Sequence, residues 1–306
     1  MRHYSQSPMP DILNNEQVAK ILRGISVPPQ PQIIVDIHME QAMPNSDMSR
    51  IAKLICQDVG LAGTILKVVN SSQYGLKNKI TSIEQAVNLL GMDSIINITN
   101  GLTIKGELDN QTILALGGFW DSAMDIASVC TTIARQIGYQ SPDLAYSLGL
   151  FHNCGVPLLV KEYPHYPDVM KESYTGVDER IIDTENRLLR TNHAVVGYYT
   201  AKSWGLPQEF CDVIAEHHNV KDIFNTALNK GYDPGKKTLL AILKMAEHIC
   251  SIHTILGQHP TDLEWETVKE DLLEFVGLSV MDFDDIAAEM ESMGIGSGTS
   301  YFDQSS

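Results

Sequence analysis

The chain has 306 residues, 43% of them apolar, and 38 acidic against 22 basic side chains give a formal charge of -16. That length and apolar content suffice for one large core or two smaller ones. The acidic balance excludes long-range attraction to nucleic acid or an anionic membrane, because no local basic patch offsets it. Five widely spaced cysteines, Cys56, Cys130, Cys154, Cys211 and Cys250, include no CxxC pair and read as buried thiols in a reducing compartment. The opening MRHYSQSPMPDILNNEQ lacks a signal peptide's apolar stretch, and no run of about 18 apolar residues occurs. The expected location is therefore cytoplasmic.

Residues 1–16 read as a flexible arm, and SVPPQPQIIVDIHMEQAM (26–43) as a proline-rich turn followed by a helix. Two short helices joined around Asp58 to Gly60 follow, the second burying Leu61, Ile65 and Val68 or Val69 on one stripe. Thr81 and Glu84 have capping-box spacing ahead of Ile83, Val87 and Leu90, and Gly91 closes that helix. FWDSAMDIASVCTTIARQIG is a helix ending at Gly138, with Trp120 among its apolar residues as a core anchor. SPDLAYSLGLFHNCG has Ser141 as cap and Pro142 at the first helical position, and is expected to stop at Gly155. The polar stretch 161–192 reads as a tyrosine- and proline-rich loop with one helix from about 178. Two helices then flank the Gly205-Leu206-Pro207 corner, where Trp204 is a second core anchor, and KKTLLAILKMAEHICSIHTILG (236–257) reads as one long helix.

Residues 262–291 hold eleven carboxylates against a single lysine, a composition that suits a solvated face, a cap or a dimer contact. The end, GIGSGTSYFDQSS, reads as disordered. The expected organisation is an arm over 1–16, a helical subdomain over 17–110, a second over 111–257, and an acidic helical extension over 258–306. The fold class is all-α and multi-helical. No P-loop or GxSxG elbow is present.

Five histidines carry the chemistry: His152, His193, His217, His218 and, more weakly, His248. The first four lie at expected helix ends, which in an all-helical protein commonly rim a pocket. His193, His217 and His218 supply three imidazoles, a set that suits zinc, iron or nickel. Neighbouring residues on a regular helix point about 100° apart, so His217 and His218 can share an ion only if their helix ends there. The structural alternative is that the rings hydrogen-bond to Asp121, Glu216 or Glu247. A two-metal hydrolytic centre needs a carboxylate after His152 to bridge ions about 3.5 to 4 Å apart. Position 153 is asparagine, a poor bridge.

The order and spacing of SVPPQPQIIVDI, ICQDVGLAGTILKVVNSSQYG, ITSIEQAVNLLGMDSIIN, FWDSAMDIASVC, SLGLFHNCGVPLL, NHAVVGYYTAKSWGLP and VIAEHH resemble the HDOD domains over roughly residues 20–220. These are relatives of the HD and HD-GYP metal-dependent phosphohydrolases. The resemblance implies a compact helical unit whose second half keeps the hydrolase arrangement. It places the first family ligand at Asp121, the His-Asp pair at His152-Asn153, further histidines at His193, His217 and His218, and the closing aspartate at Glu247. Only His152 is unchanged among the four primary-metal positions. Asp121 and Glu247 retain oxygen ligands suited to magnesium or manganese. Asn70, Ser71, Ser72 and Tyr74 match the family's N-terminal motif and can terminate a helix through side-chain-to-backbone hydrogen bonds.

The resemblance implies roles in bacterial signal transduction. The leading expectation is a non-catalytic regulatory module that requires no cofactor and acts through a signalling protein partner or a small ligand. No nucleic-acid or membrane partner is expected, and a homodimer is compatible with the sequence. The alternative is a metal-dependent phosphohydrolase acting on a nucleotide or cyclic dinucleotide. In either case the expected pocket comprises Asp121, His152, Asn153, His193, His217, His218 and Glu247.

Overall fold

The computed structural model describes residues 32–55, 65, 68–69, 74–77, 83–106, 117–176, 179–203, 208–224 and 231–295. The expected arm, Cys56, Asn70, Ser71, Ser72, Thr81, Trp204 and the tail beyond 295 lie outside the described residues, as do the side chains of Trp120 and Asp121. All regular structure among the described residues is helical, in agreement with the all-α expectation. No described helix is long and apolar enough to cross a membrane.

Among the described residues three helices come first: α1 (Gln32–Ala42), α2 (Met48–Ile55) and α3 (Ile83–Gly106). Gly91 breaks α3 with φ 78° and ψ 168°, a conformation that glycine adopts without Cβ strain. Ile37, Ile51, Ile55, Val87 and Ile95 from these helices form one apolar cluster, which reaches Ala127 and Tyr146 of the next two helices. Tyr74 packs at the edge of that cluster.

The second cluster is built on α4 (Gly117–Gln136), α5 (Pro142–Phe151) and the later α12 (Pro234–Ile249). α4 and α5 lie close because residue 149 is glycine: a Cβ there would stand 2.7 Å from Ala127 Cα. α12 is buried along Leu239, Leu240, Ala241, Ile242, Leu243, Met245 and Ala246, with Lys244 and Glu247 the charged members of the run. Burying each Leu, Ile or Met contributes about 1.5–3 kcal/mol. That gain fixes α12 as the central post of this half and forces its two charges to find partners inside.

Between these posts run α6 (Gly155–Glu162), α7 (Tyr166–Ser173), α8 (Ile181–Leu189), α9 (His193–Ser203), α10 (Gln208–Glu216) and α11 (Val220–Phe224). After α12 come α13 (Ile252–Ile255), α14 (Leu263–Val276) and α15 (Val280–Ser292). Three of these boundaries correct the sequence reading. The helix opened by Pro142 ends at Phe151, and Gly155 begins α6. Pro157 falls in the first turn of α6, where a missing N–H costs nothing. The tyrosine- and proline-rich loop forms α7, whose buried Tyr166, Val169, Met170 and Ser173 make a helical stripe. The long helix expected over 236–257 is broken at Ser251, held left-handed with φ 54°. The four described cysteines, Cys130, Cys154, Cys211 and Cys250, are buried free thiols.

The approach of α6 to α9 sets the position of His193. A Cβ on Gly155 would stand 2.1 Å from the His193 carbonyl oxygen. Gly155→Ala is therefore expected to push the start of α9 away, at a cost of about 1–3 kcal/mol for overpacking. Thermal unfolding checks this, with Gly231→Ala as the control, because no atom lies within 4 Å of a Cβ built at Gly231. Equal effects of the two substitutions would contradict it.

Candidate metal centre

Helix ends bring the histidines together. His152 caps the C-terminal end of α5, and its backbone N–H donates to Leu148 O. His193 is the first residue of α9, where Asn192 Oδ1 accepts from Val195 N at 2.8 Å and caps the helix. α10 ends at Glu216, so His217 and His218 leave the regular helix and both face inward. All four rings are buried. Ring centroids lie 5.1 Å apart for His193 and His217, 4.9 Å for His193 and His218, and 4.1 Å for His217 and His218. His152 meets His217 edge-on at 5.6 Å.

The Nδ1 partners fix the tautomers. His152 Nδ1 lies 2.8 Å from Gly149 O, and His217 Nδ1 lies 2.7 Å from Ile214 O. A carbonyl oxygen only accepts, so each of these nitrogens carries the proton. His193 Nδ1 lies 2.7 Å from Glu185 Oε2, and His218 Nδ1 lies 3.0 Å from Glu264 Oε1. Each ring therefore anchors through Nδ1 and turns Nε2 inward. His193 Nε2 is 3.2 Å from His217 Nε2 and 3.0 Å from His218 Nε2. In the neutral rings these three nitrogens present lone pairs to one another with no hydrogen between them, an arrangement that a cation relieves. Imidazoles oriented by a carboxylate or carbonyl at the remote nitrogen are the usual surroundings of a metal site. The three ligand atoms lie within 4.8 Å of one another and fit a divalent ion.

Two of the surrounding carboxylates, Glu185 and Glu264, were not legible as partners. Buried Glu185 accepts from His193 Nδ1, His193 N and the Tyr166 hydroxyl. Glu264, from the acidic segment read as a solvated face, turns inward to His218 and to Lys244 Nζ at 2.7 Å. Lys244 also binds Glu247 Oε2 at 2.6 Å. Burial alone would push the Glu247 carboxyl up, but the Lys244 ammonium and His152 hold it below the usual range. Burial would lower the Lys244 ammonium, yet Glu247 and Glu264 raise it instead.

Of the other expected pocket residues, His152 Nε2 faces Glu247 Oε1 at 3.2 Å. Asn153 is buried beside it with Oδ1 lacking a hydrogen-bond partner. Asp121 lies on α4. Glu216, expected as a partner for the rings, instead accepts from the Tyr232 hydroxyl. A cleft of about 90 Å³ reaches His218 from the surface and is lined also by Ser173, Tyr174, Arg180, Lys221, Asp262, Glu264 and Thr267.

His248 stands apart from these rings and belongs to a second cluster able to hold a divalent ion, with His253 and Asp262. Asp262 Oδ2 lies 2.9 Å from His248 Nδ1 and 3.7 Å from His253 Nδ1. His248 stacks on Trp265 with centroids 4.6 Å apart. His253 was missed because its position depends on the Ser251 break.

Burial, reinforced by neighbouring cationic groups, holds His217 and His218 well below the usual histidine range. The rings are therefore neutral near pH 7, the form that binds metal. As pH falls below about 6.5, the unfolded chain takes up protons that these rings refuse in the folded state, so stability falls with pH. For chelated protein the slope should approach about 1.4 kcal/mol per pH unit for each ring. Thermal unfolding from pH 7 to 5 should show a shallower loss in His217→Asn than in the parent; an equally steep loss would assign the effect to other groups.

The HDOD domain model matches residues 27–220. An uncharacterised protein of Treponema pallidum is 26% identical over 197 residues, covering 63% of this chain and 38% of the relative. The cyclic di-GMP phosphodiesterase CdgJ of Vibrio cholerae is 23% identical over 157 residues, covering 49% of this chain and 35% of that protein. The chain thus spans little more than a third of the length of these relatives. The crystal structure of an HDOD domain protein with unknown function from Geobacter sulfurreducens superposes with a TM-score of 0.61 at 25% identity, covering 90% of this chain and 92% of the other. With that match over most of its length and the helical fold described above, the chain belongs to the HDOD domain family.

Proposed function

We propose that the chain is a phosphohydrolase dependent on one divalent metal ion, with His193, His217 and His218 as its ligands. The observation that carries this reading is the convergence of three Nε2 atoms whose Nδ1 partners leave their lone pairs facing inward. Charge supports it: Glu185, Glu247 and Glu264 against the single Lys244 leave two negative charges for one divalent ion to balance. A divalent ion supplies Lewis acidity toward a phosphoryl oxygen and activates water near neutral pH.

The chain's own residues fit the remaining tasks. Glu185 and Glu264 hold the imidazoles in their ligating tautomers. Arg180 is fixed at the cleft by Asp183 at 2.7 Å and by Asn219, and exposed Lys221 lines the same cleft. Together they offset the acidic surface for an approaching phosphate ester. The cleft that reaches His218 from the surface is the route by which a phosphate ester would approach. The relative named as a cyclic di-GMP phosphodiesterase matches over only 35% of its length, so its substrate is not carried over.

A second reading is favoured by Asn153, which removes the bridging carboxylate of a two-metal centre. On that reading the same ion stabilises a regulatory module that signals through a protein partner.

Elemental analysis of tag-free protein and assays with p-nitrophenyl phosphate and bis(p-nitrophenyl) phosphate separate the two. The hydrolase reading predicts about one ion per chain, turnover lost in His217→Ala, and a several-fold rise in KM for Lys221→Ala. A retained ion without turnover on either substrate would favour the module. Absence of metal in protein never exposed to chelator, with none taken up on titration, would overturn both.

A further inference from the structure

Beyond residue 220, where the HDOD match ends, ligand atoms converge a second time, at the joint of α12, α13 and α14. His248 lies in the last turn of α12, His253 in α13, and Asp262 at the N-cap of α14. Asp262 Oδ1 is committed to the cap, where it accepts from Trp265 N, so Oδ2 is the oxygen left for the rings. It lies 2.9 Å from His248 Nδ1 and 3.7 Å from His253 Nδ1. Donors bonded at about 2.0–2.2 Å to a tetrahedral zinc stand about 3.4 Å apart, a spacing that those two distances bracket. His253 Nδ1 is buried without a hydrogen-bond partner. With a proton it is an unpaired donor, and without one its lone pair faces a carboxylate. A cation between them removes either cost. The surroundings hold the rings in place: His248 stacks on Trp265, and Gly257 packs so closely on Tyr174 that a Cβ would stand 2.3 Å from its ring. The His248 side chain is 30% exposed, which gives an ion access from solvent.

We propose that His248, His253 and Asp262 form a second divalent transition-metal site, separate from the three-histidine centre, that clasps the start of α14 to α12. Two imidazoles and one carboxylate suit zinc and leave a coordination position for water. This site is the weaker of the two. It has one imidazole fewer, and the His248–Asp262 hydrogen bond must open, with the ring's proton moving to its other nitrogen. It therefore fills with the second equivalent of metal, after the centre. The clasp bears on the centre because Glu264, which orients the His218 ring, stands in the helical turn that Asp262 caps. Asp262 also lines the cleft that reaches His218. That link rests on the reading of His193, His217 and His218 as the metal centre, whereas the second site stands on its own ligands.

The test is zinc titration of the parent, His217→Ala, Asp262→Asn and His248→Gln, with hydrogen exchange at the Trp265 amide as a second readout. Asparagine keeps the helix cap but removes the anionic ligand, and His248 is exposed enough for glutamine to be tolerated. The parent should bind a second equivalent at micromolar zinc, and that equivalent should slow exchange at Trp265 several-fold. Asp262→Asn and His248→Gln should each weaken the second equivalent by more than about tenfold, since losing even an outer partner costs a metal that much. Both should keep the first equivalent. A second equivalent that binds both variants as it binds the parent would overturn the proposal, and so would a parent that takes up only the ion lost in His217→Ala. A single ion that survives His217→Ala but is lost in Asp262→Asn would sink the three-histidine centre and leave this site standing.

Discussion

The geometry of the candidate metal centre depends on where four buried imidazoles place their protons. Each gives its Nδ1 proton to a fixed acceptor, Gly149 O, Glu185, Ile214 O or Glu264. The acceptors are backbone carbonyls on the rings' own helices or carboxylates reaching in from α8 and α14. Once those bonds are made, Nε2 has no choice of direction. The helix ends at Phe151, Glu216 and His193 are what allow this, because adjacent residues on an unbroken helix could not turn both rings to one point.

Charge compensation then organises the periphery. α12 is anchored by apolar burial, and its Lys244 and Glu247 must be satisfied where they fall. Glu264 reaches Lys244 because Asp262 caps α14 by accepting from Trp265 N at 3.0 Å, which sets Glu264 in the first turn. The acidic extension therefore completes the interior of the domain, although most of its carboxylates remain exposed.

The helical class, the pairing of Pro142 with α5, the break at Gly91 and the candidate histidines were all legible, because periodicity, proline and glycine are local signals. Glu185 and Glu264 were not. Each lies in an unremarkable charged stretch, and its role depends on a partner 8 or 46 residues away. Lys244 was hidden inside an apolar run, where Glu247 three residues on is a local partner but nothing local marks Glu264, 20 residues away. The ends of α5 and α12 were misplaced because Gly155 and Ser251 take their roles from packing and backbone conformation: Gly155 opens a helix against His193, and Ser251 adopts φ 54° without being glycine.

The central claim is that three imidazole nitrogens hold one ion. X-ray absorption spectroscopy of the zinc-loaded protein reads that coordination directly. The account predicts three nitrogen neighbours with imidazole scattering at about 2.0–2.1 Å, reduced to two in His217→Ala. A zinc shell of oxygen or sulfur alone, unchanged by that substitution, would contradict it.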